Sequence, residues 1–418
     1  MFVIGQPAGA DQQITASWVE TQLGGGGSSR TYAGRVAFKD SVKALQIWAD
    51  SAYVQGTTYI FVANLVFQDS TRKVRARKLT YDNGARVGKF EGNVLLEDEQ
   101  RALFAQHIHV WPDSDKVLAS GEVVLSVMDE DRHIRADELT YRATLNFGTA
   151  VGNVVASKKN GTDSLIIEAD SLRFVPDEET FDFFGNTVVS QRRTSLFAES
   201  GWYRGNILRA IGHPQVFWSR STQVDSLWAE ADTIDAFLKN DILDTLFLTA
   251  NAKIQLRNQR ETDVAKFTLM GDAGFINLAE NMLSTLKMNG HVNLGFEQAD
   301  TFAELPGDSI FVSFKNGKLD SLIVVGASEG TFNAAGKGNS RFLGQKKTLW
   351  FLDDRLVRLR LEGHALCHYS SLVEREDGDL DLSGDILDLF FEDNELSQII
   401  AGGNVSGVYL QDDTGSAQ

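Results

Sequence analysis

Two short phrases alternate along this chain of 418 residues, and their recurrence limits the fold more than any other feature of the sequence. The first phrase is a small residue, a polar one, then an alternation of apolar side chains. It reads Ala76-Arg77-Lys78-Leu79-Thr80-Tyr81 and returns from Ala105, Ala136 and Ala169, with weaker copies from Ala49, Ala198 and Ala231. The second is Gly-Asn-Val-like: Gly34-Arg35-Val36, Gly92-Asn93-Val94, Gly121-Glu122-Val123, Gly152-Asn153-Val154 and Gly185-Asn186-Thr187. It continues at Gly212, Gly290, Gly363 and Gly403, poorly at Gly326, and with Ala for Gly at Ala63 and Ala250. Successive marks lie about 29 residues apart at first and roughly 36–40 beyond Gly212, a spacing typical of repeat architectures.

Each phrase opens a stretch of period two. Val94 and Leu96, Val123 and Leu125, and Val292, Leu294 and Phe296 follow their glycines on one parity. Such alternation is that of a strand with one buried face, and no segment sustains a 3.6-residue period over three turns. Turn clusters such as Asp82-Asn83-Gly84, Pro112-Asp113-Ser114-Asp115 and Lys158-Lys159-Asn160-Gly161 separate the phrases. One repeat is therefore two strands and two turns, too thin to bury its apolar side alone, so neighbours must stack. The expected fold is all-β, an elongated β-jellyroll or β-taco of stacked two-strand repeats forming two facing sheets. If each sheet gains one strand per repeat, twelve repeats span on the order of 55 Å. The spacing divides the chain into a flexible N-terminal tail (1–30), regular repeats (31–260), a degenerate continuation (261–410) and a C-terminal tail (411–418).

Composition excludes several classes. Hydrophobic residues make up 43%, with 26 Phe, which rules out wholesale disorder. A formal charge of −17 leaves no global footprint for nucleic acid. The lone Cys367 excludes an internal disulfide framework and a multi-cysteine zinc site. No stretch approaches the ~18 apolar residues of a spanning helix. The start, Met1 to Pro7, lacks the basic flank and apolar run of a secretion signal.

The ordered alternation of an Ala-Asp-x-Leu-x-Tyr phrase with a Gly-Asn-Val phrase resembles the repeat of the OstA/LptA-type lipopolysaccharide-transport family. That family includes periplasmic bridge proteins and the N-terminal region of the LptD outer-membrane component. The match is good from Gly34 to Ile254 and continues more thinly to Val405. The resemblance implies a β-jellyroll, V-shaped in section and open along one side, with lipid A acyl chains between the sheets. It also implies end-to-end stacking on other jellyroll components by strand addition, self-association, and a periplasmic or outer-membrane-associated location. On that basis an export signal is expected upstream of Met1. The chain is about twice the length usual for the small bridge protein, and it lacks the long C-terminal region that would build an outer-membrane barrel.

Parity predicts which residues point inward: Val36, Phe38, Leu65, Phe67, Leu79, Tyr81, Val94, Leu96, Ile108, Val110, Val123 and Leu125. The set continues with Leu139, Tyr141, Val154, Leu172, Phe174, Val216 and Trp218. Read with the resemblance, these are candidate lipid-binding positions, where each buried acyl CH₂ contributes roughly 0.8 kcal/mol. Alternation alone fits a dry sandwich core equally well. The first strand near Gly34 and the last near Val405 are the expected open edges.

Other features suggest less. His107 and His109 share a face without a third ligand at fixed spacing, so no metal is expected. The recurring Asp50, Asp137, Asp170 and Asp232 fit turn-to-strand junctions better than a Ca²⁺ roll. The basic run Arg72, Lys73, Arg75, Arg77 and Lys78 fits the wet side of an edge strand better than a lipid-phosphate site. The run Gly24 to Gly27 has no strand before it and no helix after it, so it is not a phosphate loop. No catalytic motif is present and no cofactor is expected. The leading expectation is a non-enzymatic carrier of lipopolysaccharide acyl chains. The alternatives are a structural or adhesive β-repeat protein with a filled core and, third, a carbohydrate-active β-solenoid.

Overall fold

A computed structural model describes residues 2–3, 12–24, 27–41, 44–111, 114–127, 131–142, 144–161, 163–175, 178–219, 225–259, 264–279, 282–298, 301–315, 318–334, 338–352, 355–371, 378–392 and 395–411. Its regular elements are strands, and no α-helix occurs among the described residues. The chain contacts define two compact units, Met1–Val189 with Trp202–Gly205, and Ser190–Gly201 with Asn206–Gln418.

In the first unit, strands from Gly27–Asp40 to Asp163–Val175 pair antiparallel in chain order. Each is 10–14 residues long, and most bury alternate side chains, as the period of two requires. The register, however, slips in the middle of every ladder. Strand Lys116–Val127 pairs with Arg132–Arg142 up to Ser120↔Glu138, skips two residues on one side, and resumes at Val123↔Ala136. The skipped pair is Gly121-Glu122, both at positive φ. The same left-handed pair stands at Ala63-Asn64, Gly92-Asn93, Gly152-Asn153 and Gly185-Asn186.

The Gly-Asn phrase is thus a mid-strand bulge, which bends a strand and sharpens its twist. The Ala-Asp phrase is its counterpart on the neighbouring strand. A Cβ at Gly152 would lie 2.4 Å from Asp137 Oδ2, and one at Gly185 would lie 2.2 Å from Asp170 Oδ2. Glycine leaves room there for the acidic side chain as it is placed, and suits the positive φ. The recurring aspartates therefore sit at mid-strand corners and not, as the sequence suggested, where turns meet strands.

Because every strand bends at its corner, both halves face one interior. Phe38, beyond the Gly34 corner, meets Tyr59 and Phe61, which precede the Ala63 corner, at ring separations of 5.6 and 6.0 Å. Phe67 meets Phe90 at 5.4 Å in the same crosswise manner. The two facing sheets are two walls of one folded ladder. Each wall gains two strand segments per repeat, where the sequence analysis expected one.

The second unit follows the same plan with longer strands. From Ile242–Gln259 to Gly378–Glu392 they run 15–18 residues, which accounts for the wider spacing of the later marks. Phe267 packs against Phe351 at 6.1 Å although their strands are not ladder neighbours, so facing walls recur here.

Three expectations about the ends need correction. Residues 12–24, assigned to a tail, form strands Gln12–Ala16 and Trp18–Gly24, both paired to Gly27–Asp40. The strand at Gly34 is consequently not an edge, and the glycine run is entered from a strand. Gly25 and Gly26, and the tail beyond Gln411, lie outside the described residues, as do Pro112 and Asp113 of the predicted turn. The contact division near residues 190–205 lies close to Gly212, beyond which the spacing of the marks widens.

Candidate functional site

The seam between the walls of the first unit is the principal apolar site. The positions predicted to face inward are all buried except Tyr141, which is half-buried. Val36 to Phe174 line the first unit and Val216 and Trp218 the second. Parity brought this set together because the Gly-Asn strand carries one more residue through the corner than its neighbour and keeps its own parity: Phe90 precedes the Gly92 corner, Val94 follows, and both point inside. Parity missed residues on the partner strands. Ile134, Ala156, Leu165 and Ile167 also line the interior. Ile134, Leu165 and Ile167 lie before an Ala-Asp corner, where the inward parity is shifted by one from that after it, and Ala156 continues the parity of Val154.

The seam is nearly filled. Its main cavity, between Leu125, Ile134, Ala156, Leu165, Ile167 and Phe174, has a volume of about 40 Å³. That admits a few water molecules and is far short of an acyl chain. A cavity of about 30 Å³ in the second unit is ringed by Phe267, Phe296, Phe332, Phe351 and Phe391. A larger cleft there, about 410 Å³, is lined by Leu343, Leu366, His368 and Asp381, with the His368 ring nitrogen 2.6 Å from the Asp381 carboxylate.

Polar groups gather where the walls end, at the hairpin turns. Arg132 and Lys158, on one lip of the 40 Å³ cavity, reach Glu179 on the other lip at 3.6 and 3.1 Å. The first-unit site is therefore an apolar seam with cations at its mouth.

The other singled-out residues have ordinary settings. The run from Arg72 to Lys78 is not on an edge, since strand Lys73–Asp82 pairs on both sides. Two of its charges face acids on the next strand, Arg75 to Glu97 at 3.3 Å and Lys78 to Glu91 at 2.7 Å. The Lys78 hydrogen bond holds the Glu91 carboxyl below the usual range. His107 is exposed; His109 packs on Trp111 at 5.9 Å, and burial lowers its basicity. Asp50, Asp137, Asp170 and Asp232 each accept a hydrogen bond from a corner asparagine of a neighbouring strand, at 2.7–3.0 Å.

The chain matches no family model, and no curated protein sequence matches it. Among solved structures it is similar to LptH, the LptA-homologous periplasmic component of the lipopolysaccharide transport device from Pseudomonas aeruginosa. The identity is 17% and the TM-score 0.24, over 30% of this chain and 82% of LptH.

Proposed function

We propose that this protein is a non-enzymatic carrier that receives lipid acyl chains between the walls of its folded ladder, in the manner of the OstA/LptA-type family whose repeat it resembles. The observation that carries this reading is the amphiphilic order of the first unit. An apolar interior, supplied by every repeat, ends at a mouth where Arg132 and Lys158 stand over Leu165 and Phe181. An amphiphile with an anionic head and saturated tails matches that order, lipopolysaccharide among them. Loading requires the walls to part, because the closed seam has no room for a chain.

Under this reading the protein works in the periplasm and stacks on other jellyrolls through its terminal strands. Among the described residues, Ser406–Gln411 pairs only with Gly378–Glu392, and it exposes Val408, Tyr409 and Leu410. The near-filled seam favours the second reading, a structural β-repeat protein. Native mass spectrometry of protein purified from a Gram-negative host separates the two. Retained lipid is expected of a carrier, and bare polypeptide, before and after incubation with lipopolysaccharide, contradicts it.

A further inference from the structure

Arginines stand at the same lip of the first unit once per repeat: Arg72, Arg101 and Arg132. Arg72 closes one hairpin turn, and Arg101 and Arg132 open the strands Arg101–Trp111 and Arg132–Arg142. Each reaches across the mouth to the opposite lip, toward a residue 43–47 positions later in the chain. Arg72, held at 3.0 Å by Asp69 of its own turn, also meets Asp115 at 3.5 Å; Arg101 donates to Asn146 at 3.3 Å and to the Tyr141 hydroxyl; and Arg132 meets Glu179 at 3.6 Å. These are not wall contacts. The ladder pairs on the walls join adjacent strands, whereas these join turns of different repeats over the seam. They are also drawn inward, with 18% of the Arg72 side chain and 13% of the Arg132 side chain exposed, against 51% for Arg75 on the wall.

We propose that these arginines are latches that hold the mouth shut, and that a phosphorylated amphiphile opens it by drawing the arginine from its partner. This rests on the carrier reading above. A guanidinium binds a phosphate in two-pronged fashion, which the single, long contacts across the mouth do not match, so a phosphate can outcompete them. Each latch joins a single pair of turns, so the mouth opens repeat by repeat. At Glu179 the exchange takes that carboxylate from Lys158 as well as from Arg132.

The test is a binding titration of the full chain with dodecyl phosphate, dodecyl maltoside and inorganic phosphate, the amphiphiles below their micelle concentrations. Dodecyl phosphate is expected to bind at least tenfold more tightly than the maltoside, and inorganic phosphate most weakly. Glu179→Gln, which releases the latch and spares the cations, should tighten both amphiphiles severalfold. Arg132→Gln combined with Lys158→Gln should tighten the maltoside and abolish the phosphate preference. Asp115→Asn repeats the Glu179 experiment at a second latch, so a misfolded variant does not leave the question open. Equal wild-type affinity for the two amphiphiles overturns the latch and leaves the carrier standing. So do affinities unmoved by either acid substitution, or inorganic phosphate binding as tightly as its dodecyl ester. Binding of neither amphiphile to any form overturns the carrier reading and the latch together.

Discussion

The side-chain amide of Asn153 donates a 2.9 Å hydrogen bond to the carboxylate of Asp137, sixteen positions earlier and on the neighbouring strand. The same bond joins Asn186 to Asp170 and Asn251 to Asp232, and a His291 ring nitrogen takes the amide's place beside Asp272. The two phrases of the repeat are the two halves of one corner, which turns a sheet into a pair of facing walls.

A side chain at Gly152 should cost stability while Asp137 is held in its present place. Its φ of +78° already disfavours alanine, and a Cβ would lie 2.4 Å from Asp137 Oδ2. Gly152→Ala is expected to cost about 3 kcal/mol in urea unfolding, of which roughly 1–2 kcal/mol is the left-handed backbone term. In an Asp137→Ala background the same change should cost only that backbone term. Gly161→Ala is the control, since its φ is +60° and nothing lies within 4 Å. Equal costs at Gly152 in the two backgrounds would remove the corner explanation.

Where histidine replaces asparagine, the corner becomes titratable. Hydrogen bonding to Asp272 raises the His291 pKa above its ordinary value. The charged pair is therefore complete below the ordinary value and is lost as pH rises through the raised one. An NMR titration should place the His291 midpoint above the ordinary ~6.5, and Asp272→Asn should bring it back. A midpoint unmoved by the substitution would contradict the pairing.

Lys347 is fully buried, its amine donating to the Gly326 and Gly344 carbonyls at 3.2 Å and to the Ser328 hydroxyl at 3.3 Å. Burial pulls its pKa down to about 8. Between about 8 and the unfolded value near 10.4, the unfolded chain holds the proton and the folded chain does not, so stability rises with pH there. The rise attributable to Lys347 is about 3 kcal/mol. It is measured as the difference between wild type and Lys347→Met across that range, and parallel curves would refute it.

Ala156 lines the 40 Å³ cavity and is 4% exposed. Ala156→Leu fills that space, so its stability should change by no more than about 2 kcal/mol, while lipid retention in native mass spectra falls severalfold. Unchanged retention would show that any bound chain lies elsewhere.

The strands were legible in the sequence because a period of two runs on each side of every corner: Phe90, Val94 and Leu96 share one face across Gly92-Asn93, while on the Ala-Asp strands the phase shifts by one, as between Ala136 and Leu139. The corners themselves were not, because a Gly-Asn pair at positive φ has the chemistry of a turn and nothing local says that the strand resumes. Strands Gln12–Ala16 and Trp18–Gly24 were hidden by their mostly polar composition and the glycine run that follows. The mouth was invisible for another reason. Arg132 and Glu179 lie 47 positions apart, and only the folding of one wall over the other brings them to 3.6 Å.

Whether an acyl chain lies between the walls is tested most directly with a lipopolysaccharide or phospholipid carrying a photoactivatable group at the end of its chain. Adducts on the unmodified protein would be mapped by mass spectrometry. The carrier reading predicts labelling at inward residues such as Leu96, Leu125, Ile167 and Phe174, with their neighbours Glu97, Ser126 and Arg173 one position out of register left clean. Labelling of both parities alike, or labelling confined to outward aromatics such as Trp48 and Phe147, which are 39% exposed, would contradict it.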